Sequence, residues 1–413
     1  MKLFQKLLLA PAALGLFAPV VANANESNFR DVTSYSQDQV QVSLDTFKPL
    51  SSKNPLLAGG EGANNNQSQV NDFDVDNFST TTTAAFTTNF AIGQEEGGAT
   101  NPTVANFDYE IALASSFTGN DSLDVIMQAG TSKGFTELDM TDNSKVLTID
   151  SISYTTVLGE KISVFAAFGD GAAGSSLYNT ACVYGAQADT FSKCGISAAN
   201  IDEGLGTALG ASFDAGNGIT AAVAYEGQGG TTKGLMNTAS TDAVGAQIAY
   251  TGDNFGVSVS WANIENHASV TSNPCWYQST VCTTTVDNVV TRNAHTQSIG
   301  VNAYYTPDLP NFPSISAGLE SNHDDSVAGT TADQTSHYFV GIQFDEVGDG
   351  TLGAAMGSKT PYAENADALT MYEVFYSYNY ADGITVTPLI YSKDNGGSTA
   401  DETGIVVKTE FSF

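Results

Sequence analysis

The sequence predicts an all-β protein, a transmembrane antiparallel up-and-down β-barrel of about 16 strands. Three observations predict it. Apolar and polar residues alternate with period two through most of the chain after residue 76. The connections between these segments alternate between short and long. No stretch beyond the first residues approaches the ~18 consecutive apolar residues of a spanning helix. A mean hydropathy of -0.09 suits strands that are apolar on one side only.

The N-terminus reads as an export signal. Lys2 and Lys6 supply positive charge, Leu7 to Val21 an apolar run, and Ala22-Asn23-Ala24 a small-x-small cleavage site. Residues 1–24 are therefore expected to be removed. Residues 25–75 form a short segment (Phe29 to Leu50) and a polar Gly/Asn/Gln linker (Ala58 to Asn71), and 76–413 form the barrel.

The first strand places Phe78, Thr80, Thr82, Ala84, Phe86, Thr88, Phe90 and Ile92 on one face. The second places Phe107, Tyr109, Ile111 and Leu113 opposite Asp108 and Glu110, and the third Leu123, Val125 and Met127 opposite Asp124 and Gln128. Val146 to Leu158 and Lys161 to Phe168 follow, then Leu209 to Phe213, Ile219 to Tyr225, Val244 to Tyr250 and Phe255 to Trp261. Ile299 to Tyr305, Ile315 to Leu319, Tyr338 to Phe344, Leu352 to Met356, Tyr372 to Tyr380 and Ile384 to Ile390 continue the pattern. The last strand carries Ile405, Val407, Thr409, Phe411 and Phe413.

Tight links are expected at 118–122, 158–161, 214–218, 251–254, 306–313, 345–350 and 380–383. Long links fall at 93–105, 131–145, 169–203, 227–242, 264–297, 321–335, 358–370 and 392–403. Short turns at one end and long loops at the other are the habit of membrane barrels. A soluble β-sandwich also alternates, but its loops need not alternate in length along the whole chain. Two residues break the pattern. Asp150 shares a parity with Val146, Ile152 and Tyr154, and faces lipid unless a bulge intervenes. Pro388 removes a ladder hydrogen bond from a strand.

Charge excludes one class of partner. The formal charge is -31, and loss of Lys2 and Lys6 makes it -33. Such a chain repels nucleic acid, whose phosphates are bound by Lys and Arg. Disorder is excluded beyond residue 76 by 22 Phe and 17 Tyr in regular positions. The four cysteines form two local pairs, Cys182 with Cys194 and Cys275 with Cys282. In an exported chain two disulfides are the default; zinc is the alternative, without C-x₂₋₄-C spacing to support it.

The segment Asp76-Asn77-Phe78-Ser79-Thr80-Thr81-Thr82 resembles the start of the barrel in cyanobacterial outer-membrane porins. Met1-Lys2-Leu3-Phe4 with Ala10-Pro11-Ala12-Ala13-Leu14-Gly15 is similar to signal peptides of marine members. The ending Phe411-Ser412-Phe413 resembles the C-terminal signature that the barrel assembly machinery reads, with Phe413 as the assembly signal. That family is grouped with carbohydrate-selective porins and is also linked to inorganic ion and iron uptake. The resemblance implies a passive pore for small hydrophilic solutes and ions in outer-membrane lipid, assembled as a homotrimer. Members carry an S-layer homology domain before the barrel; residues 25–75 are too short for it, so this chain is expected to lack that tether. Both barrel ends fall on the short-turn side, which is periplasmic in such proteins.

The parity opposite to the apolar face is the lumen. Asp108, Glu110, Asp124, Glu226, Glu320, Glu373, Lys408 and Glu410 take it and are the pore-lining candidates. Carboxylates in a narrow wet channel attract cations; in a wide one they are merely solvated. Both readings stand. In sixteen-strand porins the third loop commonly folds inward. Carried over, Asp170, Asp189, Lys193, Asp202 and Glu203 become constriction candidates, stiffened by Cys182–Cys194. The alternative is a stapled surface loop.

Motifs with a chemical look fit the strand reading poorly. Gly130-Thr131-Ser132-Lys133-Gly134 matches G-x-S-x-G but has no following helix. Gly204, Gly206 and Gly210 lack dinucleotide-binding spacing. His267, His295, His323 and His337 fall in or near long links, and Asn322-His323-Asp324-Asp325 reads as an acidic loop or a Ca²⁺ ligand set. No enzyme, cofactor or metal is expected. The rival function is a secreted β-rich adhesin or receptor that uses the long loops.

Overall fold

A computed structural model describes residues 82–97, 102–131, 134–202, 204–230, 234–237, 240–266, 294–309, 311–324, 333–363, 366–397 and 399–413. Strands β1 (Thr82–Glu96), β2 (Thr103–Ser115), β3 (Asp121–Gly130), β4 (Thr148–Leu158), β5 (Ile162–Gly169) and β6 (Thr207–Gly216) open the barrel. β7 (Ile219–Gly227), β8 (Asp242–Thr251), β9 (Phe255–Asn266), β10 (Ala294–Tyr305), β11 (Ser314–Asp324) and β12 (Gln334–Val347) continue it. β13 (Gly350–Ser358), β15 (Thr370–Ala381), β16 (Ile384–Lys393) and β17 (Glu402–Ser412) complete it. β14 (Tyr362–Ala363) is a two-residue ribbon in a long link, paired with Thr335 and Ser336 of β12.

Sixteen of these strands form a closed antiparallel ring. Closure is made by β1, which pairs with β2 on one side and β17 on the other. Phe86 and Phe413 exchange backbone hydrogen bonds of 2.9 and 3.0 Å, and their rings stack at 5.5 Å. A closed ring has no edge, so each strand donates and accepts within the barrel; an open edge in hydrocarbon would cost several kcal/mol per unpaired group.

Period-two chemistry sets inside and outside. On β17, Ile405 is 58% exposed on the outer surface, while its neighbour Val406 is 1% exposed and packs inward. Val223, Ile248, Trp261, Ile299, Leu319 and Val374 continue the apolar outer surface around the barrel. Aromatics gather at the short-turn end, where Tyr250 meets Phe255 at 5.5 Å and Tyr378 meets Tyr380 at 6.5 Å. An apolar band edged by aromatic rings is what a bilayer selects.

The turns follow local chemistry. β6 and β7 are joined by Asn217-Gly218, both with positive φ (55° and 80°), the requirement of a tight hairpin whose twist matches the strands. A Cβ on Gly218 would sit 2.0 Å from the Thr251 carbonyl oxygen. At the β2–β3 turn, Asp121 accepts hydrogen bonds from the Phe117 and Thr118 backbone N–H groups at 3.0 and 2.8 Å.

The two anomalous residues are accommodated. The β3–β4 register shifts between Ile126 and Met127, which pair with Ser151 and Ile149. Asp150 is the bulged residue between them, and its carboxylate lies against Gly171 of the third long link instead of facing lipid. Around Pro388 the ladder with β15 is interrupted: Phe375 pairs with Leu389 and Tyr378 with Val386, with the same register on both sides of the gap.

Candidate functional site

The barrel interior is organised by the described parts of the second and third long links, 134–147 and 170–202, which fold inward. The third leaves β5 and enters with Gly171 N–H bonded to the Asp150 carbonyl at 3.3 Å. Its backbone then crosses the inner wall strand by strand. Ala181 N–H donates to Ser258 Oγ (3.0 Å), Val183 N–H to Ser316 Oγ (3.1 Å) and Gly185 N–H to Gln343 Oε1 (2.8 Å). The chain turns there and returns through short 3₁₀ turns at Asp189–Gly195 and Ala198–Asn200. Cys182 and Cys194 join the outgoing and returning passes as a disulfide. Cys275 and Cys282 lie outside the described residues.

Apolar packing holds the loop to the wall. Phe191 is fully buried and meets the Phe339 ring at 5.2 Å; Tyr184 packs on Phe339 and Phe375. Met371, Leu389, Tyr391 and Val406 join this cluster from β15–β17, and Phe135 and Leu138 join it from the second link. Ile201 and Ala198 pack on Ala224, Ala243, Ala262 and Ile264 in a second cluster. Each buried large side chain of this kind contributes about 1.5–3 kcal/mol. The wall is carved to receive them. Inward positions on β8, β10, β11 and β13 are glycines, and a Cβ at Gly300 would sit 2.6 Å from Ile196, and one at Gly318 2.2 Å from the Cys194 carbonyl oxygen.

All eight pore-lining candidates face inward, but their surroundings differ. Asp108, Glu226, Glu320 and Glu373 are buried, at 9%, 0%, 3% and 1% exposure. Each accepts a backbone N–H from an infolded link. Glu373 takes Gln187 N–H at 3.1 Å and Ala188 N–H at 2.5 Å, plus the Tyr184 hydroxyl at 2.8 Å. Glu320 takes Ala199 N–H at 2.9 Å, Glu226 takes Gly174 N–H at 2.5 Å, and Asp108 takes Thr141 N–H at 3.4 Å. Glu110, Asp124, Lys408 and Glu410 are half-buried and face the remaining lumen; Gln128 donates to Glu110 at 3.2 Å and Ser122 to Asp124 at 2.8 Å.

Among the constriction candidates, Lys193 and Asp202 form an ion pair at 2.5 Å, and Lys193 also reaches Ser175 Oγ at 2.6 Å. Asp170 and Asp189 present exposed side chains. The Asp189 carboxyl is held above its ordinary value of 3.8, first by desolvation in the crowded interior, then by Asp139, Glu137 and Asp202. Glu203, Ser132, Lys133, His267 and Asp325 lie outside the described residues. Among the described residues no group of three or more His, Cys, Asp or Glu could hold a metal ion.

Three contributors were not legible as such in the sequence. Lys393 is 2% exposed and bonds Glu137 at 3.2 Å, Glu402 at 2.8 Å and the Thr136 hydroxyl, tying the second link to β16 and β17. Glu137 in turn accepts Thr190 N–H at 3.3 Å, locking the second link to the third. His337 sits inside β12 and is buried under Gly195, 3.0 Å from where a Cβ there would be, so it belongs to the interior and not to the outer loops. The inward glycines were the readable signal: on a wall that needs no close approach, that parity would carry polar side chains.

No protein-family model matches the chain. A search of curated proteins finds no relative. Solved structures match the fold. OprB of Pseudomonas putida is similar at TM-score 0.56 and 11% identity, over 81% of this chain and 94% of that one. A loop-deletion mutant of OmpT, an outer membrane protein of Vibrio cholerae, is similar at TM-score 0.53 and 12% identity, over 81% of this chain and 100% of that one. Salmonella typhi OmpF is similar at TM-score 0.51 and 13% identity, over 80% and 97%. At such identities the likeness concerns the fold.

Proposed function

We propose that this protein is an outer-membrane channel for passive diffusion of small hydrophilic solutes and ions. The observation that carries the reading is the combination of an apolar outer surface with an inward face that keeps Glu110, Asp124, Lys408 and Glu410 partly open to water. A closed barrel of sixteen strands is wide enough to leave an aqueous path, where an eight-stranded one is filled by its own side chains. In this reading the infolded third link, bonded to the inner wall, narrows that path, and the exposed carboxylates Asp170 and Asp189 face its water. The likeness to OprB, to an outer membrane protein of Vibrio cholerae and to OmpF supports the same location and role.

The finer reading is a cation-preferring member of the cyanobacterial carbohydrate-selective and iron-uptake porins. It is trimeric, inserted by the barrel assembly machinery, and has both termini in the periplasm. Kinship rests on the short segments at residues 1–15 and 76–82, and orientation on the short turns that share an end with both barrel termini. Cation preference rests on Glu110, Asp124, Glu410, Asp170 and Asp189 set against Lys408, with Lys193 already paired. Swelling of proteoliposomes in neutral solutes of graded size tests the role. Swelling that slows as solute mass rises is expected; lipid-like permeability from folded protein would refute it.

A further inference from the structure

We propose that the inward carboxylates divide into two sets with separate tasks: buried clamps that hold the infolded links and thereby set the aperture, and water-facing groups that set ion preference. The inference rests on the channel reading above. The clamps are Glu226, Glu320, Glu373 and, for the second link, Asp108; the water-facing set is Glu110, Asp124 and Glu410.

The division follows burial and hydrogen bonding together. Every clamp is at most 9% exposed and accepts at least one backbone N–H from a link far away in sequence. Glu373 and Ala188 are separated by 185 residues, and Glu320 and Ala199 by 121. A buried loop must satisfy its peptide groups, and a carboxylate accepting an N–H makes one of the stronger hydrogen bonds available. The wall thus supplies acceptors where the loop has spare donors.

The clamps also sit at well-spaced stations. Glu226 is on β7, Glu320 on β11 and Glu373 on β15. They hold the entry of the third link at Gly174, its turn at Gln187 and Ala188, and its return at Ala199. These three carboxylates lie beneath the loop, where a passing ion does not meet them. The water-facing set occupies a different sector. That sector is separate from the three third-link clamps but adjoins the second-link clamp: Glu410 lies opposite Asn89 across β17 and β1, Asp108 lies opposite Asn89 on β2, and Glu110 is paired with Gln128 on β3. Among the described residues no infolded N–H is bonded to Glu110, Asp124 or Glu410, so their charge is presented to the lumen.

The test separates acceptor from charge. Glu373→Gln removes the charge and keeps an oxygen for the two amides. Glu373→Ala removes both. Hydrogen exchange of the Gln187 and Ala188 amides and the reversal potential under a salt gradient are read on each, beside the triple variant E110Q/D124N/E410Q. Glu373→Ala should raise exchange at those amides at least about tenfold, and Glu373→Gln should restore most of the protection. Glu373→Gln should leave the cation-to-anion permeability ratio unchanged, while the triple variant lowers it roughly twofold or more and leaves loop exchange unchanged.

A Glu373→Gln channel that loses selectivity as the triple variant does overturns the division. So does a Glu373→Ala protein whose loop amides exchange as in the wild type. If Glu373→Ala does not fold, Glu320→Ala read at the Ala199 amide gives the same comparison. Exchange is measured on folded protein whether or not it conducts. A non-conducting wild type with clamped amides would therefore sink the channel reading and leave the clamps standing.

Discussion

Phe191→Ala gives a large, local perturbation whose size follows from the structure. The ring is fully buried and makes an edge contact with Phe339 at 5.2 Å and 62°. It sits over Gly357, where even a Cβ would lie 2.9 Å from the Phe191 ring. Removing a buried Phe costs about 3–5 kcal/mol, the larger values applying where the surroundings do not close over the cavity. Here one wall is the backbone of a barrel strand held on both sides by ladders, which cannot move in. The loss should therefore lie toward the upper part of that range.

What remains at the site is the Glu373 clamp, whose two amide bonds contribute about 0.5–1.5 kcal/mol each. These bonds persist in the variant, so the loop stays docked but opens more often. At ~1.4 kcal/mol per factor of ten, a loss of about 4–5 kcal/mol should increase local opening at least about 10³-fold. The assay is hydrogen exchange across residues 184–196 in protein folded into lipid vesicles, with urea unfolding followed by Trp261 fluorescence in a Trp276→Phe background. Undocking of the loop leaves the strand ladder paired and precedes its loss in urea, so loop exchange should accelerate by that factor while the Trp261 midpoint moves little. Unchanged loop exchange, or a full shift in the Trp261 midpoint, would refute the reasoning.

Other outcomes follow from the same geometry. Val223→Arg puts a charge on the outer surface at the middle of β7 and should cost about 2–4 kcal/mol in vesicle-based urea unfolding, whereas Asp124→Lys in the lumen should cost much less. The double variant C182S/C194S frees a loop closed over a separation of 12 residues and should lose about 3 kcal/mol on the chain-entropy account, measured the same way. Asp189 has a raised pKa, so on acidification it takes up its proton at higher pH than an ordinary aspartate; cation preference should begin to fall there, and Asp189→Asn should remove that first step in a reversal-potential titration. The sign for stability is the reverse of a salt-bridged carboxylate: Asp189 stabilises least once pH has risen through its folded-state pKa, so Asp189→Asn should not destabilise the protein at neutral pH.

The wall of the barrel was legible because it is written locally. Ile405, Val407 and Phe411 alternate with Lys408 and Glu410, and two-residue periodicity alone assigns their faces. Asn217-Gly218 announces its hairpin by the φ values it permits. The pairing of Cys182 with Cys194 was readable from proximity in sequence and an exported context. The interior was less legible because its contacts are long-range. Nothing near Glu373 indicates that its partners lie 185 residues earlier. Asp150 carried a warning in its parity, but the bulge that turns it is set by β3 across the ladder. Phe135, Leu138 and Lys393 read as ordinary loop and strand residues, and only the fold joins them. The inward glycines at 300 and 318 stand in the alternation as positions without side chains, but the sequence does not say which segment approaches them.

Single-channel recording in a planar bilayer tests the central claim most directly. The account predicts discrete, uniform conductance steps that scale with the conductivity of the bathing salt, with a cation preference that weakens as ionic strength rises and the screening length falls from about 8 Å at 0.15 M to 3 Å at 1 M. Folded protein that inserts and produces no steps would contradict a water-filled pathway through this barrel.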